Sequence, residues 1–198
     1  MWPTSGPTSP TACRKTSRSE FLAVAARILV EGRPGIGKTT VARRLVELIR
    51  ERGLPLAGFT TEEIRDGGRR IGFAIEDVEG RRALLAAARL AGPPRVGRYG
   101  VDLEAFEKIA LPATGGHPEA RVTVIDELGK MELFSEEFKR AVSALFDGQT
   151  SVIATVQLHH HPLTDALKAR PDVEVVRVTE ANRDRLPKEL LRLLLEAG

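Results

Sequence analysis

The chain has 198 residues, of which 42% are hydrophobic and 29% charged, the balance of a soluble globular domain with a sizeable core. No apolar run approaches the ~18 residues of a membrane span, and one cysteine, Cys13, excludes a disulfide framework or a multi-cysteine metal site. The net charge of +3 gives no ground for a nucleic-acid surface, because Arg14, Lys15 and Arg18 against Glu20 put most of it in the first twenty residues.

Residues 1–22 are expected to be a disordered extension. The first twenty hold eight Ser or Thr and three Pro, with no apolar period. A transit peptide is the alternative, since the segment bears Arg and Ser and little acid, but it shows no clear amphipathic helix. It also lacks an apolar stretch for secretion, so a cytoplasmic protein is expected. Residues 23–198 read as one domain. An apolar run, Ala26–Val30, leads into a glycine-rich turn. A helix is predicted from about Lys38 to Arg52, because Val41, Leu45, Leu48 and Ile49 share a face and Gly53 follows as a stop. Leu56–Thr60 reads as a strand. Glu63–Arg65 and Arg70–Glu76 flank Asp66-Gly67-Gly68 and read as an antiparallel hairpin. Leu84–Ala88 fits a strand or a short helix. Asp102–Ile109 is predicted helical and Val122–Ile125 a buried strand. Ser135 caps a helix whose face is Phe138, Val142, Leu145 and Phe146. Ser151–Val156 is a strand, Leu163–Ala169 a short helix, Val173–Val178 a strand, and Pro187–Glu196 a last helix with Pro at its first position. Five apolar strands separated by helices predict an α/β fold with a mainly parallel sheet. The antiparallel hairpin at 63–88 is an insertion in it.

Gly32-Arg33-Pro34-Gly35-Ile36-Gly37-Lys38-Thr39 fits G-x-x-x-x-G-K-[ST] between a predicted strand and a predicted helix. Glycines let backbone N–H groups curl around a phosphate. The helix that follows offers unpaired N–H groups and a positive dipole end. Lys38 is expected on the β- and γ-phosphates, and the Thr39 hydroxyl on Mg²⁺. Val122–Ile125 then ends in Asp126 and Glu127, at the strand edge that faces the same crevice. Asp126 is expected to hold the Mg²⁺ hydration shell, and Glu127 to polarise a water for attack on the γ-phosphorus. Asp126-Glu127-Leu128-Gly129 also fits the D-x-x-G of GTPase switches, but the chain has no N-K-x-D guanine-reading tetrad.

The chain resembles the thermophilic-type nucleoside-triphosphatases, a P-loop family with a vertebrate cancer-related member. The stretches that carry the likeness run in family order over about residues 26–195. They are Gly32–Thr40, Gly58–Arg65, Gly67–Phe73, Val96–Asp102, Ile125–Leu133 and Ala181–Asp184. The resemblance implies one three-layer P-loop domain with core strand order 5-1-4-3-2. It implies slow Mg²⁺-dependent hydrolysis of ATP, GTP and other nucleoside triphosphates to diphosphate and phosphate, with broad base tolerance. On that order Thr155 would point toward the γ-phosphate or the attacking water. The chain departs from the family pattern at Gln157, where many members have His, and at Ala181, where Glu is usual.

Other candidates follow from position. Lys130, close after the two carboxylates, is expected to neutralise γ-phosphate charge or orient Glu127. Arg98, in a glycine-flanked loop, is a candidate arginine finger in cis. Asn182 and Arg183 follow the last strand, where P-loop proteins often contact the base. Adjacent His159, His160 and His161 cannot all face one ion and read as a solvated loop. Arg69-Arg70 and Arg81-Arg82 read as solvated charge. Two further functions compete with hydrolysis. A kinase would need an Arg-rich lid, yet Gln157–Thr164 has no Arg. A nucleotide-binding, RNA-associated adaptor would have no need of Glu127. The expected partners are nucleoside triphosphates. No membrane partner is expected, nucleic acid is not indicated, and a monomer is expected.

Overall fold

The computed structural model describes residues 25–115 and 119–197. The expected extension at 1–22 lies outside them. One nine-stranded sheet organises the described residues. Next to its last strand is β1 (Arg27–Glu31), whose Ile28, Leu29 and Val30 are buried. Parallel to β1 run β8 (Ser151–Val156) on one side and β9 (Glu174–Arg177) on the other. β7 (Val122–Leu128) and β2 (Leu56–Asp66) continue the parallel part beyond β8. β3 (Arg69–Asp77), β4 (Arg82–Ala87), β6 (Tyr99–Val101) and β5 (Arg95–Val96) then extend it antiparallel. The whole order is β5-β6-β4-β3-β2-β7-β8-β1-β9. Counting only the five parallel strands in chain order, it is the expected 5-1-4-3-2.

Helices cover both faces. On one lie α1 (Lys38–Glu51) and α5 (Leu186–Ala197), which bury Val41, Leu45 and Ile49 with Leu190, Leu191 and Leu194. On the other lie α2 (Leu103–Thr114) and α3 (Glu136–Asp147). There Phe59, Phe106 and Phe138 meet, with the Phe106 and Phe138 rings edge to face at 5.1 Å. That geometry adds to what area burial alone contributes. The short α4 (Pro162–Lys168) closes the β8 to β9 crossover.

Several boundaries differ from the sequence reading. The strand expected at 56–60 and the hairpin arm at 63–65 are one strand, β2. The apolar pattern breaks at Thr60 because β2 leaves its parallel partner after Phe59, while its ladder with β3 runs on to Asp66. Leu84–Ala88, open between strand and helix, lies mostly in strand β4. α2 runs past the expected Ile109 and through Pro112. Ala110, Ala113 and Thr114 are buried there, and that packing outweighs the one hydrogen bond a proline removes. β5 and β6 are two and three residues long, too short to show a period.

Candidate active site

The turn from β1 to α1 carries the phosphate-loop motif. Gly37 caps α1 with φ 111°, a left-handed conformation open to glycine. No side chain caps this helix and no acid lies in its first turn. Its leading N–H groups are therefore available to an anion. Gly32 N–H donates to the Val156 carbonyl at 3.3 Å, which ties the loop to the end of β8.

Lys38 begins α1, is only 6% exposed, and places Nζ 3.3 Å from Glu127 Oε2. The other Glu127 oxygen, Oε1, accepts from the Gln157 amide. Asp126, joined to Glu127 by a cis peptide bond, is fully buried beneath the loop. Its Oδ1 accepts from Thr155 Oγ1 at 2.6 Å and its Oδ2 from Thr61 Oγ1 at 3.5 Å. Burial, with Glu127 as a like charge nearby, raises the Asp126 carboxyl above its ordinary range, while the hydroxyls oppose the shift.

Glu132, 4% exposed, opens a 3-10 turn at Glu132–Phe134 just after β7. Desolvation by burial pushes its carboxyl up to about 8, and the Glu127 charge adds to the shift. Gly129 gives both glutamates room. A Cβ there would lie 2.8 Å from Glu127 Oε1 and 2.8 Å from Glu132 Oε2. Lys38, Thr39, Glu127, Lys130, Glu132 and Gln157 all line one cleft of about 650 Å³. Pro34, Gly35, Gly37 and Thr40 of the loop face the same cleft.

The remaining candidates fall in different places. Lys130 is exposed at the cleft wall. Thr155, expected to point toward the γ-phosphate, instead commits its hydroxyl to Asp126. Arg98, expected as an arginine finger, stacks over Tyr99 at 5.0 Å and bonds to Tyr99 Oη and the Arg70 carbonyl. It does not line the cleft. Asn182, expected at a base, spends its amide on the backbone. Oδ1 accepts from Thr179 N–H at 2.8 Å and Nδ2 donates to the Arg177 carbonyl at 2.9 Å. Arg183 is brought to the loop, its Cδ 3.5 Å from where a Gly37 Cβ would stand. Arg33 and Ile36 belong to the loop, with Arg33 exposed and Ile36 packed beside Gly32. Of the three adjacent histidines, His160 faces Asp165 at 3.3 Å and His161 Nδ1 accepts from the Leu163 N–H at 3.2 Å.

Sequence reasoning missed Thr61, Glu132 and the contact made by Gln157. Glu132 carried a signal. It is an acid set between Met131 and Leu133, where an exposed residue would be expected only if the run were a surface turn.

Known proteins resemble the chain over most of its length. A family model described as NTPase matches residues 27–191. The nucleoside-triphosphatase THEP1 of Thermotoga petrophila is 42% identical over 169 residues, covering 85% of this chain and 92% of that protein. The human cancer-related nucleoside-triphosphatase is 40% identical over 182 residues, covering 85% and 96%. The crystal structure of THEP1 from Aquifex aeolicus superposes with a TM-score of 0.74 at 33% identity, covering 85% of this chain and 98% of that one. The solution structure of the human protein superposes with a TM-score of 0.76 at 38% identity, covering 88% and 100%.

Proposed function

The chain belongs to this NTPase family, and from that premise we propose that it hydrolyses nucleoside triphosphates, with Glu127 as the base. The observation that carries the reading is the Lys38–Glu127 pair at 3.3 Å inside the phosphate-loop cleft. A cation and a carboxylate so placed hold each other until a polyanion arrives. The β- and γ-phosphates then take Lys38, and the freed Glu127 Oε2 can accept a proton from water. The loop N–H groups and the α1 N-terminus hold the phosphate oxygens. In the hydrolytic step the water oxygen bonds to the γ-phosphorus, the β–γ bridging bond breaks, and the water proton passes to Glu127.

Mg²⁺ fits the residues present. Asp126 is a buried carboxylate whose described partners are hydroxyls, and no cation pairs with it among the described residues. Thr39 adds another oxygen donor. A hard ion that keeps most of its waters and shares substrate phosphates suits such a sparse oxygen set. Asp126 and Thr39 would hold it, with Thr155 and Thr61 orienting the carboxylate. When bound, the ion would withdraw charge from the phosphate oxygens. Lys130, at the cleft wall, is placed to add positive charge near the γ-phosphate. Broad base tolerance is supported by the spent amide of Asn182, which leaves Arg183 as the candidate contact beside the loop. Residues 23–198 would form the single catalytic domain.

Phosphate release from ATP and GTP, measured with and without Mg²⁺ and with candidate phosphoryl acceptors, tests the reading. Hydrolysis should need Mg²⁺ and no acceptor, with kcat/KM for the two nucleotides within about tenfold, or ~1.4 kcal/mol. Release that needs an acceptor would make the protein a transferase.

A further inference from the structure

We propose that Gln157 is a positioning residue that aims the Glu127 carboxylate at the attacking water. The inference rests on Glu127 being the base, and it adds a residue that the phosphate-loop reading does not supply.

Gln157 is the first residue past β8 and is half-buried at the cleft wall. Its backbone is anchored. The Gln157 carbonyl accepts from Lys168 Nζ at 3.5 Å, and the same Nζ donates to Glu31 Oε1 at 2.5 Å. Glu31 ends β1, the strand that enters the phosphate loop. Residue 157 is thus held to the same scaffold as the phosphates will be. From this anchor the side-chain amide donates to Glu127 Oε1.

The two oxygens of Glu127 therefore have different partners. Lys38 faces Oε2, and Gln157 holds Oε1. A triphosphate draws the ammonium away, because a cation prefers a polyanion to a single carboxylate. The neutral amide has no such pull and stays. Oε2 is released in a fixed direction while Oε1 remains pinned. Charge matters as much as direction. A lysine or arginine at position 157 would hold Oε1 more strongly, but a nearby cation favours the ionised carboxylate and weakens it as a base. An amide orients the carboxylate with a smaller loss of basicity. Misplacing a reacting group by about 1 Å costs on the order of 10²-fold in rate, so the loss of this contact should be visible in turnover.

The test is a set of Gln157 variants assayed for ATP hydrolysis, with nucleotide affinity measured in parallel as the check on folding. Gln157→Leu removes the donor and should lower kcat by about 10- to 100-fold while KM stays within about twofold. Gln157→Glu keeps the shape, loses the donor and adds a like charge, and should be at least as slow. Gln157→His offers a ring N–H of similar reach and should recover to within about fivefold of the native rate. In a Glu127→Gln background, Gln157→Leu should cost less than about twofold more, because its partner no longer acts as a base. A native rate for Gln157→Leu, a Gln157→His variant as slow as Gln157→Leu, or the full loss repeated in the Glu127→Gln background would each overturn the inference. A native rate for Glu127→Gln would instead overturn the base assignment beneath it.

Discussion

On the antiparallel edge of the sheet, Arg82 reaches Glu62 at 2.8 Å and Glu76 at 3.0 Å, with its side chain 47% exposed. At the parallel centre, Lys38 faces Glu127 at 3.3 Å and is 6% exposed. Both are pairs of a cation with glutamate, yet their surroundings differ. Around Arg82, water already solvates each charge and the pair is worth ~0–1 kcal/mol. Around Lys38, each charge depends on the other, and separating them without a substitute is costly. The exposed pair gives up little when it opens. The buried pair is poised to exchange, because only an incoming anion can replace what the lysine would lose. The arginines at 70 and 98 follow the edge pattern. Arg70 is held by Glu63 and Tyr99, and Arg98 by Tyr99.

Removing the buried cation should break this contrast most severely. Lys38→Ala takes away the charge proposed to meet the phosphates and strands Glu127. Affinity for Mg²⁺–ATP should fall by more than about 100-fold, ~2.7 kcal/mol, in calorimetry. Near-native affinity would mean that the loop does not hold the nucleotide.

A smaller effect sharpens the same contrast at Glu132, an acid buried beside Glu127 without any cation paired to it among the described residues. Its carboxyl is raised to about 8, against ~4.3 when exposed. Between those values the folded chain keeps a proton that the unfolded chain has lost. Stability contributed by this group therefore declines as pH rises through that window and levels off above about 8. Glu132→Gln removes the slope. Relative to the native protein it should gain more than about 1 kcal/mol between pH 5 and pH 8 in urea unfolding. Equal slopes in both proteins would mean that Glu132 is ionised in the fold.

The smallest change is expected at the edge. Arg82→Ala should alter stability by less than about 1 kcal/mol and leave kcat within about twofold. A large loss of turnover would tie the exposed network to the site.

The same contrast explains what could be read from the sequence. The parallel centre was legible because β1, β7 and β8 are buried apolar runs that end in the loop and in Asp126-Glu127. Their period and their chemistry coincide. The antiparallel edge was less legible. β2 changes partners in mid-strand, and β5 and β6 are too short to carry a pattern. The roles of single polar side chains were harder still. Thr155 and Asn182 lie in the expected segments, but which way a hydroxyl or amide turns depends on partners distant in sequence or on the backbone of its own turn. Thr155 answers to Asp126, twenty-nine positions away. Gln157 stood out in the sequence as a departure, yet its contact with Glu127 exists only once β7 and β8 lie side by side.

The proposed mechanism turns on Glu127 being freed by nucleotide and then taking the water proton. Single-turnover phosphate release by Glu127→Gln, measured beside its affinity for Mg²⁺–ATP, addresses that claim directly. The amide keeps the shape of the side chain but cannot accept the proton. Affinity should stay within about threefold of native while phosphate release slows by about 10²–10⁴, or ~3–5 kcal/mol. A variant that keeps more than about a third of the native rate would show that another group activates the water.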